Sequence, residues 1–311
     1  MRPQRTRRFI ELMALALGAA TNLYGGRAYA GDAFTCGIAA PNDRPAVVTT
    51  RLAGVPAVLR VPRKITKPPI ILWHGFGPPA SERALMGALP LDSVPAIKVY
   101  LGLPLFGARS PPGGTSELVR RQSRDFASLI FEPVVMGAAR ELPRVVRALR
   151  ARHCLAPGAR IGLFGFSGGG AAALVALEQR ETTVGAAVTL NASTGLSASI
   201  AAFERATKRP YLWTPHARLL AKSSDAAPHA ADIAAGEPPV ALLLIHGADD
   251  ATVSPAAAVG VYDALRPYYH RAHADSRLHL IIVPALSHSW GAVGADERLD
   301  RDIGSWFDRF L

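Results

Sequence analysis

The sequence predicts an α/β fold with a mostly parallel central sheet and helices on both faces. From about residue 45 onward, short apolar runs of strand length alternate with longer segments of helical periodicity. The connections between these runs are long enough for the crossover helices that parallel strands require. The chain is 49% apolar and 19% charged, which supplies a sizeable core and argues against disorder. We therefore expect one domain over residues 31–311.

Residues 1–30 have the pattern of a cleaved signal peptide. A basic start is followed by a largely apolar stretch, and Ala28-Tyr29-Ala30 matches the small-x-small cleavage pattern. A membrane anchor is the weaker alternative, because the stretch contains Glu11 and falls short of the roughly 20 residues that a spanning helix needs. We expect export to the periplasm or medium and no stable membrane anchor, while the Arg7-Arg8 pair leaves the export route open.

The chain remains basic after this cleavage. Loss of five arginines and one glutamate lowers the formal charge from +11 to +7. Four arginines share one face of a predicted helix: Arg140, Arg144, Arg147 and Arg150. A nucleic acid or an anionic membrane would be the functional partner of such a face. Because no nucleic-acid motif accompanies it, we interpret the face as solvated and expect no nucleic-acid partner.

The two cysteines, Cys36 and Cys154, are predicted to form a disulfide that holds the N-terminal segment of the exported chain. No cationic neighbour or helix start marks Cys154 as a nucleophile.

The first predicted elements are strands. Runs 46–52 and 55–61 form a hairpin across Gly54. Pro133 and Pro143 are expected to interrupt a helical stretch over 116–152. The other predicted elements are, in chain order, strand 70–73, helix 81–89, strand 97–103, a loop at 107–116, strand 160–166, helix 168–180, strand 184–190, an irregular insertion at 192–238, strand 240–245, helix 255–266, strand 278–283 and a final helix from 291.

The segment Gly165-Phe166-Ser167-Gly168-Gly169 lies between an apolar strand and a good helix former. Strand, sharp turn and helix are the context that a nucleophile elbow requires. A side chain at Gly165 or Gly169 would collide with neighbouring backbone in such a turn. The alternative is a serine that only caps a helix, but the context favours Ser167 as a nucleophile beside helix N–H groups that stabilise negative charge.

A serine nucleophile needs a base and an acid that orients the base. In such a site the serine comes first in the chain, the acid second and the histidine third, and each follows the C-terminal end of a strand. Asp249 and Asp250 follow strand 240–245, and His288 follows strand 278–283. His74 and His246 begin His-Gly pairs at strand ends, where we expect them to order loops.

Together, these motifs resemble the α/β-hydrolase superfamily over residues 45–311. They are His-Gly at 74–75, GxSxG at 165–169, HGxxDxxV at 246–253 and a histidine before the last helix. The resemblance implies Asp250, in preference to Asp249, as the acid and His288 as the base. It also implies that the backbone N–H groups of Phe76 and Gly168 form the oxyanion hole. Esterase/lipase and dienelactone-hydrolase/prolyl-oligopeptidase-like branches look similar, although true dienelactone hydrolases carry cysteine where this chain has serine.

We therefore expect a serine hydrolase that cleaves carboxylic esters through an acyl-enzyme, with a small molecule as the acyl substrate. A peptidase, amidase or acyltransferase on the same triad remains an alternative, and a non-catalytic binding module is a remote one. Residues 192–238 occupy the place of a cap, and Phe106, Tyr211 and Trp213 are candidates for an acyl pocket or for cap packing. No metal or cofactor motif accompanies them, and the sequence leaves acyl length and oligomeric state open.

Overall fold

The computed structural model describes Cys36 and residues 45–290 and 296–311. The predicted signal peptide lies outside these residues, as does the predicted start of the last helix at 291. Within the described ranges, no helix is both long enough and apolar enough to cross a membrane.

One eight-stranded sheet forms the centre of the molecule, with strand order β1-β2-β4-β3-β5-β6-β7-β8. β2 pairs antiparallel with both β1 and β4, and all other neighbours pair in parallel, so the predicted mostly parallel sheet is confirmed. The strands are β1 Ala46–Leu52, β2 Val55–Val61, β3 Ile70–Trp73, β4 Lys98–Leu101, β5 Ile161–Phe166, β6 Val184–Leu190, β7 Ala241–Gly247 and β8 Leu278–Val283.

Helices cover both faces of this sheet, as predicted. The α-helices are α1 Glu82–Ala88, α2 Gly114–Arg124, α3 Gly137–Ala151, α4 Gly168–Gln179, α5 Leu196–Thr207, α6 Pro215–Lys222, α7 Ala230–Ile233, α8 Pro255–Arg271 and α9 Glu297–Phe310. A π-helix spans Ala127–Met136, and short 3₁₀ turns lie at Gly107–Arg109, Ala227–His229 and Asp275–Arg277.

Alternation along the strands divides the core into two clusters, one on each face. In β5, Leu163 lies in one cluster and Phe164 in the other, because successive strand side chains point to opposite faces. α1 and α9 contribute Leu85 and Phe307 to the second cluster. α3, α4 and the π-helix pack into the first. Since both faces are covered, the central strands are buried along their whole length and almost entirely apolar, rather than alternating between apolar and polar residues.

The β1–β2 hairpin closes through Ala53 and Gly54, whose φ angles are +49° and +81°. Two consecutive positive φ angles are typical of the type I′ turn, whose twist matches that of paired strands.

The insertion at 192–238 is helical, so the prediction of an irregular segment was wrong. It contains α5, α6 and α7, and α6 is capped by Thr214, whose side chain accepts a hydrogen bond from the Ala217 N–H. Its helices are short and separated by Pro, Gly and Ser, so the sequence shows no sustained helical spacing of apolar residues there. They gain their stability by packing against the π-helix, α4 and α8.

Two prolines are accommodated within helices that the sequence predicted to break or end there. Pro143 lies inside α3, and α8 continues through Pro267 to Arg271. Pro133 differs from these two prolines, since it lies within the π-helix rather than within an α-helix. At Pro143 and Pro267, tertiary packing therefore overrides the local cost of a missing backbone N–H.

Cys36 and Cys154 form a disulfide with a Cα–Cα distance of 4.9 Å. The Cys36 N–H also donates to the Arg152 carbonyl at 3.2 Å. These bonds hold Cys36 against the turn that follows α3. The bond spans 118 residues, so it removes considerable freedom from the unfolded chain.

We expect the double variant Cys36→Ser/Cys154→Ser to unfold more easily, by about 2–4 kcal/mol, because the unfolded chain regains that freedom. Chemical denaturation of the oxidised wild type, reduced wild type and double variant measures this. Reduction should lower the wild type to the level of the variant and leave the variant unchanged. Equal stability of all three samples would contradict the expectation.

Candidate active site

Ser167 occupies a sharp turn between β5 and α4, with φ +53° and ψ −118°. Its backbone N–H donates to the Leu190 carbonyl at 3.0 Å, which ties the turn to the end of β6. Its carbonyl accepts from the N–H of Gly170 at 3.0 Å and thus begins α4. A non-glycine residue rarely adopts a positive φ, and such outliers cluster at functional sites.

Three glycines allow this turn to pack closely. A Cβ at Gly165 would overlap the Gly169 carbonyl, and one at Gly169 would overlap the carbonyl of His74. Gly170, which the sequence analysis did not single out, packs in the same way against Ala192. The turn is therefore held between the ends of β3 and β6.

The structure brings Ser167, His288 and Asp250 together from three different loops. Ser167 Oγ lies 3.0 Å from His288 Nε2, and His288 Nδ1 lies 2.8 Å from Asp250 Oδ2. Each loop follows the C-terminal end of a strand: β5, β7 and β8. In this arrangement Nε2 can accept the serine proton, while the carboxylate orients the ring and stabilises its charged form.

Asp250 is buried, and its carboxylate accepts several hydrogen bonds. Oδ1 accepts from the N–H groups of Thr252 and Val253 at 2.9 and 2.8 Å, and Oδ2 faces His288 and, at 3.2 Å, His246 Nε2. Burial alone would raise the pKa of Asp250, but the hydrogen bonds from His246, His288 and the Val253 backbone outweigh it and hold the pKa well below its usual range. The group is therefore ionised at neutral pH. Asp249, the alternative acid, is exposed.

His246 contacts Asp250, and the sequence did not predict this contact. It is fully buried, and its Nε2 lies between Asp250 Oδ2 and the Val253 carbonyl, 3.1 Å away. As expected it orders a loop, but that loop carries the acid itself. Its position four residues before Asp250 was the available signal.

His74 orders the segment that carries Phe76. Its Nδ1–H donates to the Gly75 carbonyl at 2.7 Å, and its Nε2 accepts from the Leu103 N–H at 3.2 Å. Burial lowers the pKa of His74 more than its hydrogen bond to Gly75 raises it, which favours this neutral form.

The segments of the two expected oxyanion donors lie in contact. The Phe76 ring packs on Gly168, within 2.8 Å of where a Cβ would stand. Gly168 opens α4, where backbone N–H groups have no partner within the helix. Phe106 stacks on Phe76 with ring centroids 5.4 Å apart and planes 4° from parallel.

The other two candidate pocket residues belong to a separate aromatic cluster. Tyr211 contacts both Phe203 and Trp213 edge to face, and its hydroxyl donates to Asp125 at 2.8 Å. Tyr211, Phe203 and Phe126 line a cavity of about 370 Å³, and none of the described residues around it belongs to the triad. The cluster therefore packs the helical insertion against the segment before the π-helix.

The buried polar side chain of Asn191 also contacts this site: it hydrogen-bonds to Gly247, the last residue of β7 before the acid loop, and to the histidine loop. The residues that the structure describes contain no cluster of three or more His, Cys, Asp or Glu side chains that could bind a metal.

Solved structures with the same fold come from several hydrolases and from TT1662 of Thermus thermophilus. TT1662 is 19% identical with a TM-score of 0.65, and the match covers 86% of this chain and 98% of that one. Dienelactone hydrolase from Anabaena variabilis is 20% identical with a TM-score of 0.52, over 86% and 99% of the two chains. Acylaminoacyl peptidase from Pyrococcus horikoshii is 18% identical with a TM-score of 0.57, and the match covers 86% of this chain but only 42% of the peptidase.

No curated protein matches the sequence. The prolyl oligopeptidase family matches residues 123–311, which is more than half of the chain and includes the loops of Ser167, Asp250 and His288. The chain therefore belongs to the prolyl oligopeptidase family and is a serine hydrolase of the α/β-hydrolase fold.

Proposed function

We propose that the protein hydrolyses carboxylic esters through an acyl-enzyme on Ser167, with His288 as general base and Asp250 as the orienting acid. The continuous hydrogen-bonded line from Ser167 Oγ through His288 to Asp250 carries this proposal. Its geometry already suits proton transfer, since both distances lie within hydrogen-bond reach.

The reaction follows from these positions. Ser167 Oγ attacks the acyl carbon as His288 Nε2 takes its proton, and the carbonyl oxygen becomes an oxyanion facing the N–H groups of Phe76 and Gly168. His288 then protonates the leaving alkoxide, which departs as an alcohol. A water molecule, deprotonated by His288, then attacks the acyl carbon. The bond to Ser167 Oγ breaks, the serine oxygen takes the proton back from His288, and the carboxylic acid is released.

An aromatic surface beside the oxyanion segment supports an ester with an apolar group. Phe76 is partly exposed and packs directly on the turn of the nucleophile, and the buried Phe106 ring supports it by stacking in parallel beneath it. Such a surface binds apolar groups without offering a charged partner. The family match favours a second candidate, a peptidase, because an amide is attacked by the same triad.

We expect Ser167→Ala to lower ester turnover by about 10⁶-fold, because no other group replaces the nucleophile. The measurement follows p-nitrophenyl esters from acetate to palmitate, peptide p-nitroanilides and labelling by a fluorophosphonate. Ser223→Ala, in the helical insertion, is the control variant and should keep full turnover.

The possible outcomes distinguish an esterase from a peptidase and from a protein without hydrolase activity. Ester turnover and labelling that both vanish in Ser167→Ala support the esterase. Labelling with cleavage of anilides alone would overturn it in favour of a peptidase. A folded wild type that neither reacts with the probe nor turns over any substrate would contradict both.

The two adjacent aspartates provide a matched pair of variants. Asp250→Asn should lower kcat by about 10⁴-fold, because the neutral amide no longer stabilises the charged ring or its correct tautomer. Asp249→Asn changes the neighbouring exposed side chain in the same way and should leave kcat near that of the wild type. The reverse order of effects would assign the acid to Asp249.

We also propose that the protein is exported and cleaved after Ala30. The small-x-small pattern at 28–30 supports this, and so does the disulfide, since such bonds persist in oxidising compartments.

N-terminal sequencing of protein recovered from a periplasmic extract tests the export proposal, and it should begin at Gly31. Ala30→Pro should block cleavage, whereas Ala39→Pro, beyond the site, should not. An intact N-terminus on a cytoplasmic product would overturn the proposal.

A further inference from the structure

We infer that Asn191 is a positioning residue that holds the acid loop and the histidine loop in register with the nucleophile. This inference rests on the proposed triad. Asn191 follows β6 directly, is 0% exposed and has a φ of +46°, a conformation that asparagine tolerates better than most residues.

The side-chain amide of Asn191 links the end of β7, where the acid loop begins, to the histidine loop, beside the backbone hydrogen bond from the Asp249 N–H to the Leu286 carbonyl at 3.2 Å. Its Oδ1 accepts from the Gly247 N–H at 2.8 Å, three residues before the acid. Its Nδ2 donates to the carbonyls of Ser287 at 2.8 Å and of His288 itself at 3.2 Å. The orientation of the amide is unambiguous, because an N–H faces its oxygen and two carbonyls face its nitrogen.

The backbone around Asn191 extends the same support to the nucleophile. Leu190, on one side, accepts from the Ser167 N–H at 3.0 Å, and Ser193, on the other, donates to the Ser167 carbonyl at 3.2 Å. The Asn191 N–H itself donates to Ile245 on β7 at 2.9 Å. Residues 190–193 therefore touch the loops of all three triad members.

The histidine loop has a particular need for such support. In the part of the chain that the structure describes, β8 is the edge strand of the sheet and pairs with β7 alone, so its C-terminal end has a neighbouring strand on one side. Asn191 reaches this loop from β6, past the end of β7. Its hydrogen bond to the His288 carbonyl acts on the residue whose ring must stay within reach of both Ser167 and Asp250.

Asn191→Gly tests the inference without adding strain, because glycine adopts the positive φ freely. Asn191→Asp is the second variant: it keeps an oxygen for Gly247 but turns its other oxygen toward two carbonyls. The control is Tyr269→Phe, which removes a buried hydrogen bond to the Val240 carbonyl (2.7 Å) at the opposite end of β7. All are compared at the same interval below their own melting temperatures.

We expect kcat and the rate of fluorophosphonate labelling to fall together by about 10- to 100-fold in both Asn191 variants, with a smaller change in KM, since slight misplacement of reacting groups is costly. Tyr269→Phe should lower the melting temperature without lowering kcat. Asn191 variants that are folded and keep kcat and labelling at the control level would overturn the inference.

A proton NMR signal provides a readout that does not depend on turnover. The His288 Nδ1 proton, bonded to Asp250, should appear far downfield and is assigned by its loss in His288→Gln. We expect this signal to shift or broaden in Asn191→Gly and to stay in Tyr269→Phe. An unchanged signal in Asn191→Gly would overturn the inference. A wild type that shows the signal but is never labelled would instead overturn the proposed function.

Discussion

The positive φ angle at Ser167 is the constraint on which the rest of the site depends. Holding a non-glycine residue at φ +53° costs about 1–3 kcal/mol, so the surrounding structure must enforce it. Gly165, Gly169 and Gly170 do so by letting the turn pack directly on the ends of β3 and β6. In return the serine hydroxyl is raised above the sheet, at the helix N-terminus.

The parallel order of β5, β6, β7 and β8 explains why residues far apart in the chain meet at this serine. Their C-terminal ends lie at one edge of the sheet, so the loops after them become neighbours. The proposed nucleophile follows β5, the proposed acid follows β7 and the proposed base follows β8. β6 lies between β5 and β7 and carries none of these three residues. Asn191, directly after β6, forms hydrogen bonds that connect the end of β7 with the histidine loop.

The charge of the site depends equally on burial and on hydrogen bonding. An isolated carboxylate at the position of Asp250 would favour its neutral form, because burial penalises charge. Two backbone N–H groups and two histidines reverse that preference. His246 is one of them, so a histidine outside the triad helps to keep the acid ionised.

The sequence by itself predicted the fold class, and it placed Ser167, an aspartate at 249 or 250, and His288 after successive strands, because these features depend on local patterns and on spacing along the chain. The preference for Asp250 over Asp249 came from the resemblance to the α/β-hydrolase superfamily. Periodicity could not predict the helices of residues 192–238 or the continuity of α3 through Pro143, since packing supplies their stability. Only the tertiary structure decided that Tyr211 and Trp213 pack together in the insertion, and that Asn191 and His246 support the triad. The Asn191 contacts join residues from separate strands, and a hydrogen bond between distant loops leaves no periodic signal in either segment. Tyr211 and His246 contact residues only two and four positions away, but which side chains meet depends on how their loops fold.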